Sequence, residues 1–227
     1  MEYTHIDLHT HCVLSTEGRR KQKRGFAHIP PTYAPLSLLT RARQVGLDFI
    51  ALTDHNMMPS ITHNHIIPGV ELTCKPASRL ERVLGETHLI ILNPKQDFFN
   101  TEAFPDLYET IESAHADGSV LILPHPFYFD RSKKNYYKML SGVETYYSYK
   151  NPLTPLLRKN ALRINALGPA CVAGSDAHTL DMLGCAQNVV EYCPTVDHLL
   201  TEIENRAILH AQTKPSVLNS LRTLIAN

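Results

Sequence analysis

The sequence predicts an α/β fold in which a parallel sheet closes into a barrel. Short apolar runs recur along the 227 residues, and several of them alternate with amphipathic helical patterns. Strands that alternate with helices in this way build a parallel sheet, either a barrel or a doubly wound sheet. The barrel is favoured because polar side chains follow the carboxyl ends of the apolar runs, where barrel enzymes place their chemistry.

The predicted strands are apolar runs that end in polar residues. They are IDLH at 6–9, FIALTDH at 49–55, GVELT at 69–73, THLIIL at 87–92, VLILPH at 120–125, GVETYY at 142–147 and VAGSDAH at 172–178. Near-continuous apolar runs of this length are typical of strands that are buried on both faces.

Helices are predicted between these strands from proline and glycine positions. Each begins at or beside a proline and ends before a glycine, in the intervals 35–46, 105–118 and 154–168. Proline at the first helical position and glycine just past the last is the expected asymmetry. We expect one domain over 1–227, in which 195–227 forms closing C-terminal helices split at Pro215.

The composition argues against a membrane protein and against a partner chosen by net charge. A hydrophobic content of 43% over this length suffices for one sizeable core. The 22 basic and 22 acidic side chains cancel, so no global field favours nucleic acid or an anionic membrane. The polar start lacks the apolar stretch of a signal peptide, and no apolar run reaches membrane-spanning length, which predicts a cytoplasmic protein.

The 13 histidines indicate metal chemistry, whereas five cysteines without a C-x-x-C pair argue against disulfides and a zinc knuckle. His9 and His11 follow an apolar run, and alternate residues of a strand point the same way, so both imidazoles can meet one ion. For this pair alone, two unrelated surface or core histidines remain the alternative. Asp54 and His55 follow the next run, where an N-cap aspartate beside an incidental histidine is the competing interpretation.

Ligand-type residues also mark the remaining strands. Glu71 lies inside an apolar strand, where an unpaired carboxylate costs several kcal/mol unless a metal ion or a buried arginine meets it. His88 begins the next strand, His125 lies between two prolines, and Asp176 and His178 follow the last strand. Ligand-type residues at six strand ends are improbable as a coincidence, so the set favours a metal site.

Together these motifs resemble the polymerase and histidinol phosphatase (PHP) family of metal-dependent phosphoesterases. The match runs in order from residue 4 to about 190 and rests on His9-Thr10-His11, Thr53-Asp54-His55-Asn56, Gly69-Val70-Glu71, His88, Pro124-His125-Pro126 and Gly174-Ser175-Asp176-Ala177-His178. Each motif alone is weak, whereas their ordered combination is highly specific. The resemblance implies a distorted (β/α)7 TIM-like barrel with a two- or three-metal centre at the carboxyl ends of its strands.

The resemblance also implies a ligand set. The first ion would be held by His9, His11, Glu71 and Asp176. The second would be held by Glu71, His88 and His125, and a third in part by His55 and His178. Nitrogen and oxygen ligands without thiolates suit zinc, manganese or iron. Cys12 is expected to point away from the site, and Asp54 to orient a ligand.

The third ion position departs from the family pattern. Many members continue after the first motif through a Ser-Asp-Gly element, whereas this chain is one residue longer there and has Glu17 before Gly18. Glu17 is therefore the candidate third ligand. The basic segment that follows supplies Arg19 and Arg20 as candidate contacts for a polyanionic substrate, with a solvated surface loop as the alternative.

The sequence thus predicts a metal-dependent phosphoric ester hydrolase that acts on a small phosphorylated metabolite or a nucleotide, with two or three divalent ions. Glu71 and His178 are the candidate catalytic residues, with Glu71 as a bridging acid and His178 as a substrate contact or proton donor. Two alternatives remain open: hydrolysis of C–N bonds, as in amidohydrolase barrels, and a non-catalytic metal-binding scaffold.

Overall fold

One mixed sheet of nine strands dominates the part of the chain that the structure describes. A computed structural model describes residues 2–12, 33–75, 87–96, 104–147 and 154–213. The strands are β1 (Tyr3–Thr10), β2 (Phe49–Leu52), β3 (Ile66–Cys74), β4 (Thr87–Leu92), β5 (Val120–Leu123), β6 (Gly142–Tyr147), β7 (Ala170–Gly174), β8 (Ala186–Glu191) and β9 (His210–Thr213). Their order in the sheet is β7-β6-β5-β4-β3-β2-β1-β8-β9.

The sheet curves into a nearly closed barrel because β7 returns to β1 and β8. Thr10, at the end of β1, forms a bridge with Ala177, just beyond β7, and the His11 N–H donates to the Ala177 carbonyl at 3.0 Å. The buried Asn188 side chain in β8 accepts from the Ala173 N–H and donates to the Ala173 carbonyl, both at 2.8 Å. The prediction of a single-domain α/β barrel is confirmed.

Strand direction differs from the parallel arrangement that the sequence predicts. β1, β2 and β3 are parallel, as are β5, β6 and β7, but β4 is antiparallel to both of its neighbours. β8 is antiparallel to β1, and β9 is antiparallel to β8. The prediction is wrong for β4 because an apolar run has the same hydrophobic pattern in both chain directions, and β8 and β9 are not among the predicted strands.

Helices cover the barrel. They are α1 (Pro35–Gln44), α2 (Leu107–Ala116), α3 (Lys134–Tyr137), α4 (Thr154–Asn165) and α5 (Val196–Glu204), with a 3-10 turn at Arg131–Lys133. The predictions for α1, α2 and α4 are confirmed, and each buries an apolar stripe. Gly46 and Gly118, which follow α1 and α2, have φ of 80° and 78°, the left-handed conformation that glycine adopts at helix ends. None of the described helices combines the length and apolar character needed to cross a membrane.

The C-terminal segment differs from the expected pair of closing helices over 195–227. Its described part contains one helix, α5, and then a strand, β9, which extends the sheet beside β8. The expected split at Pro215 lies outside the described residues. Leu199, Leu200 and Ile203 of α5 pack in one apolar cluster with strand residues of the barrel, so this segment belongs to the same domain.

Alternation along the strands separates an inner core from the outer layers. In β4, Ile90 and Leu92 belong to the apolar cluster shared with α5, whereas Leu89 and Ile91 pack with α2 and α4. Successive side chains of a strand point to opposite faces. His88 therefore shares the inward direction of Ile90 and Leu92 and enters the barrel.

Candidate metal centre

A buried glutamate lies at the centre of the candidate site. Glu71 lies in β3 and shares the inward strand face of Ile67, and its side chain is only 1% exposed. Its Oε1 lies 2.8 Å from His88 Nδ1 and 3.1 Å from His125 Nε2. Its Oε2 faces three Nε2 atoms, at 3.0 Å, 3.2 Å and 3.4 Å, from His55, His9 and His11 respectively. Five imidazoles from four other strands thus converge on one carboxylate.

His9 and His11 reach the interior because β1 contains an irregularity. Between Asp7 and Thr10, β1 has one more residue than the paired interval of β2. Leu8 packs into the inner core, yet the adjacent His9 also faces inward, toward Glu71. A bulge of this kind re-aims the side chains that follow it. One strand therefore supplies both inner core residues and imidazoles.

His88 reaches the same site because β4 runs in the opposite direction. In the antiparallel pair, His88 lies opposite Thr73 near the carboxyl end of β3. The first residues of β4 therefore lie beside the last residues of β3. An imidazole at the start of one strand joins imidazoles at the ends of others, an arrangement that a strictly parallel sheet does not allow.

Two residues of the site occupy the left-handed backbone region. His125 has φ of 27° and Asp176 has φ of 50°. A residue other than glycine that adopts this backbone conformation is strained by on the order of 1–3 kcal/mol, and such strained residues cluster at functional sites. Buried carboxylates hold the backbone at both places: Glu144 accepts from the His125 N–H at 3.1 Å, and Asp7 accepts from the Ser175 N–H at 3.1 Å.

Asp176 and His178 form the more exposed side of the cluster. Asp176 Oδ1 lies 3.0 Å from His11 Nε2 and 3.5 Å from His9 Nε2. His178 Nδ1 hydrogen-bonds to the Asp176 carbonyl at 2.9 Å, and its ring centroid lies 4.5 Å from that of His11. The side chains of Asp176 and His178 are 22% and 13% exposed, against 0% for His9 and His11. Solvent therefore reaches the cluster from the Asp176 side.

Among the residues that the structure describes, three groups of side chains are close enough to hold a metal ion, with ligand atoms within 4.8 Å of one another in each group. The groups are His9, His11, Glu71 and Asp176; His55, Glu71 and His88; and His11, His55 and His178. The first has the composition that the resemblance implies. The second contains His55 in place of His125, which still faces Glu71. Glu17, Arg19 and Arg20 lie outside the described residues.

The donor atoms of the cluster fit cations. Glu71 Oε2 and His9 Nε2 are buried and satisfy no hydrogen bond within the described chain, although they lie 3.2 Å apart. The same holds for His11 Nδ1. A buried polar atom without a partner costs about 1–3 kcal/mol and calls for an explanation, an ion among others. Imidazole nitrogens and carboxylate oxygens around one point are the ligands of divalent transition metals.

Burial and mutual charge set the protonation of the cluster. Burial alone would raise the pKa of Glu71, but the imidazoles around it, His55 first, hold that pKa well below its ordinary value. Burial likewise opposes ionisation of Asp176, and His9 leads the charges that hold its pKa well below the ordinary value. Burial lowers the pKa of His11 well below its ordinary value. Ionised carboxylates beside a neutral imidazole are the forms that bind metal.

Solved structures share this fold over most of the chain. PsfC from Pseudomonas syringae has a TM-score of 0.60 at 18% identity, over 100% of this chain and 97% of its own. A protein assigned as a metal-dependent phosphoesterase, from Bifidobacterium adolescentis, has a TM-score of 0.55 at 14% identity, over 89% and 96%. The lesion-specific endonuclease PfuEndoQ from Pyrococcus furiosus has a TM-score of 0.59 at 15% identity, over 92% of this chain and 58% of its own.

The family comparison adds a sequence match to this structural likeness. The family model described as PHP-associated matches residues 160–208, which include Asp176 and His178. Over these residues the chain is similar to proteins of the PHP family. No curated protein matches the chain significantly in sequence.

Buried acids outside the three ligand groups hold the strand ends near the cluster. Asp54 accepts from the Cys12 N–H at 2.6 Å and from the Cys12 thiol at 2.8 Å, so the thiol is directed at Asp54 and away from the imidazoles. Burial raises the pKa of Asp7 to about 6, and its carboxylate accepts from the Ser175 N–H. Glu144 accepts from His9 Nδ1 at 2.8 Å.

The sequence contains the signal for Glu144, although its contacts are visible only in the folded domain. The run Gly142-Val143-Glu144 repeats the pattern Gly69-Val70-Glu71, an acid inside an otherwise apolar strand. The same argument that singles out Glu71 applies to Glu144, because a buried carboxylate needs a compensating partner. The sequence does not reveal that partner, since Glu144 and His9 are 135 positions apart.

Proposed function

We propose that this chain is a metal-dependent phosphoesterase. The observation that carries the proposal is the geometry of Glu71, whose two oxygens face separate sets of imidazoles, His88 and His125 on one side and His9, His11 and His55 on the other. A carboxylate with ligands on both sides is suited to bridge two cations. Paired divalent ions are typical of enzymes that displace groups at phosphorus.

The ligand assignment follows the three groups of side chains. The first ion would be held by His9, His11, Glu71 and Asp176, and the second by Glu71, His88 and His125, with His55 also in reach. His11, His55 and His178 surround a third position, to which Glu17 is the proposed further ligand. The nitrogen and oxygen donor set is compatible with zinc, manganese or iron, and the residue types do not choose among them.

The proposed roles differ between the buried Glu71 and the more exposed His178. Bound divalent ions would lower the pKa of a water and neutralise the phosphoryl oxygens. Glu71, which is 1% exposed, keeps the two ligand sets at fixed separation. His178 lies at the exposed side, and its Nδ1 is held by the Asp176 carbonyl. Its Nε2 is therefore the atom that would bind the third ion or, without that ion, meet a substrate or protonate a leaving group.

The substrate class in this proposal is a phosphate ester of a small metabolite or a nucleotide. Two solved structures with the same fold are a protein assigned as a metal-dependent phosphoesterase and a lesion-specific endonuclease, and both reactions cleave bonds to phosphorus. The net charge of zero supplies no general attraction for nucleic acid. Arg19 and Arg20 are proposed to add local attraction for a polyanionic substrate.

The decisive experiment combines metal content with turnover. Protein stripped by a chelator and reloaded with zinc, manganese or iron should hold at least two ions per chain by mass spectrometry of the metals. It should then hydrolyse p-nitrophenyl phosphate, its diester or phosphorylated metabolites. Full activity after chelation refutes the proposal. If the protein hydrolyses amides but not phosphate esters, it is a C–N hydrolase. If it binds metal but hydrolyses neither class of substrate, it is a non-catalytic metal-binding scaffold.

A matched pair of substitutions tests the bridging role. Glu71→Gln keeps the side-chain shape but removes the charge between the ligand sets, and we expect turnover to fall at least about 100-fold, since even outer partners of metal ligands cost 10–100-fold. Glu109→Gln makes the same chemical change on the exposed surface of α2 and should leave turnover unchanged. Equal activity of the two variants contradicts a bridging role for Glu71.

The third position has its own test. Anomalous scattering from crystals soaked in manganese should give a peak between His55 and His178, and Glu17→Gln should weaken that peak alone. Two peaks at saturating metal, with unchanged kinetics in Glu17→Gln, eliminate the third ion. His55 and His178 would then act as substrate contacts.

The basic segment is tested by comparing two substrates. Replacing Arg19 and Arg20 by alanine should raise KM for a polyanionic substrate more than for an aryl phosphate, and the difference should shrink at high salt. Equal effects on the KM of both substrates would indicate that the segment is a solvated surface loop without a role in substrate binding.

A further inference from the structure

One buried carboxylate outside the three ligand groups contacts two of the proposed metal-binding histidines. Glu144 lies in β6 and is 2% exposed. Its Oε1 accepts from His9 Nδ1 at 2.8 Å, and its Oε2 accepts from the His125 backbone N–H at 3.1 Å. His9 belongs to the first proposed ion and His125 to the second, so a single side chain links both halves of the centre.

The contact with His9 selects which imidazole nitrogen faces the centre. An imidazole that donates Nδ1–H to a carboxylate presents Nε2 as its acceptor or ligand atom. His9 Nε2 is the atom that lies 3.2 Å from Glu71 Oε2 and 3.5 Å from Asp176 Oδ1. Carboxylates that hold the second nitrogen of a ligand imidazole fix its orientation and raise its basicity.

The contact with His125 holds a strained backbone. His125 has φ of 27° and lies between Pro124 and Pro126. Proline has no N–H, so the N–H of His125 is the one backbone donor in this tripeptide. Its bond to Glu144 therefore fixes the peptide from which the His125 side chain extends toward Glu71.

The neighbouring strand leaves room for this carboxylate because residue 174 is a glycine. A Cβ added at Gly174 in β7 would run into Glu144 Oε1, lie 2.8 Å from Glu144 Cδ and lie 2.9 Å from His9 Cβ. Glu144 can therefore occupy this position only because residue 174 has no side chain. The contact between β6 and β7 holds the carboxylate against His9.

We propose that Glu144 is a positioning residue of the metal centre, which presents His9 Nε2 to the first ion and fixes the His125 backbone for the second. The inference rests on the proposed function, because it assumes that His9 and His125 bind metal. It assigns to Glu144 a role toward both ions without direct coordination.

The test compares metal affinity in Glu144→Ala, Glu144→Gln and the exposed control Glu109→Gln. Zinc and manganese affinities are measured by chelator competition, and the unfolding temperature of the metal-free protein is recorded alongside. We expect Glu144→Ala to weaken metal binding about 10–100-fold, the usual effect of losing an outer carboxylate partner. Glu144→Gln keeps one acceptor oxygen for two N–H donors, so its loss should be smaller. Glu109→Gln should match the wild type.

A spectroscopic measurement separates positioning from a general structural role. Long-range proton–nitrogen NMR spectra of the zinc-loaded wild type should show His9 protonated at Nδ1 and coordinated through Nε2, and Glu144→Ala should lose that single tautomer. Unchanged metal affinity in both Glu144 variants, even with a lowered unfolding temperature, overturns the inference. Failure of the wild type to bind metal instead refutes the proposed function.

Discussion

Replacing Asn188 by alanine should destabilise the fold by about 2–6 kcal/mol. The Asn188 side chain is fully buried in β8 and makes two 2.8 Å hydrogen bonds with the backbone of Ala173 in β7, one to the N–H and one to the carbonyl. It also donates to the Ile6 carbonyl at 3.4 Å. Alanine leaves two buried backbone groups of β7 without these partners, and each costs about 1–3 kcal/mol.

The assay is urea and thermal unfolding of Asn188→Ala beside Asn205→Ala, which changes an exposed asparagine at the end of α5. For a domain of this size, each kcal/mol lost from the free energy of unfolding lowers Tm by about 2–4 °C. We therefore expect Tm to fall by at least about 4 °C in Asn188→Ala. The control should stay within about 0.5 kcal/mol of the wild type. Hydrogen exchange at the Ala173 amide should accelerate only in Asn188→Ala. A loss below about 1 kcal/mol refutes the view that this side chain closes the barrel.

Other predictions concern packing, capping and metal. Gly174→Ala should cost about 1–3 kcal/mol by overpacking against Glu144 and His9, measured by urea unfolding. Asp106→Ala removes the side-chain cap of two backbone N–H groups of α2 and should cost about 1 kcal/mol by the same measurement. Free metal at 100 times its Kd should stabilise the protein by about 2.7 kcal/mol, so chelation should lower Tm by about 5–11 °C in a thermal scan. An unchanged Tm after chelation contradicts tight binding to the folded state.

The sequence by itself predicts β1 to β7 and the ligand-type residues near their ends, whereas β8 and β9 are not among the predicted strands. Helices α1, α2 and α4 follow from proline, glycine and apolar spacing, because these residues act on the backbone locally. The ligand-type residues are likewise visible, since an acid such as Glu71 inside an apolar strand needs a cation. Their ordered motifs suffice to establish a resemblance to the PHP family.

The tertiary structure decides how those residues meet. The reversed β4, which puts His88 beside Glu71, is invisible in the sequence because an apolar run has no direction. The extra residue in β1 that turns His9 inward is defined only by the register with β2. The link from Glu144 to His9 spans distant parts of the chain and exists only after the barrel curves. Local patterns fix elements, whereas strand direction, register and long-range contacts depend on packing between them.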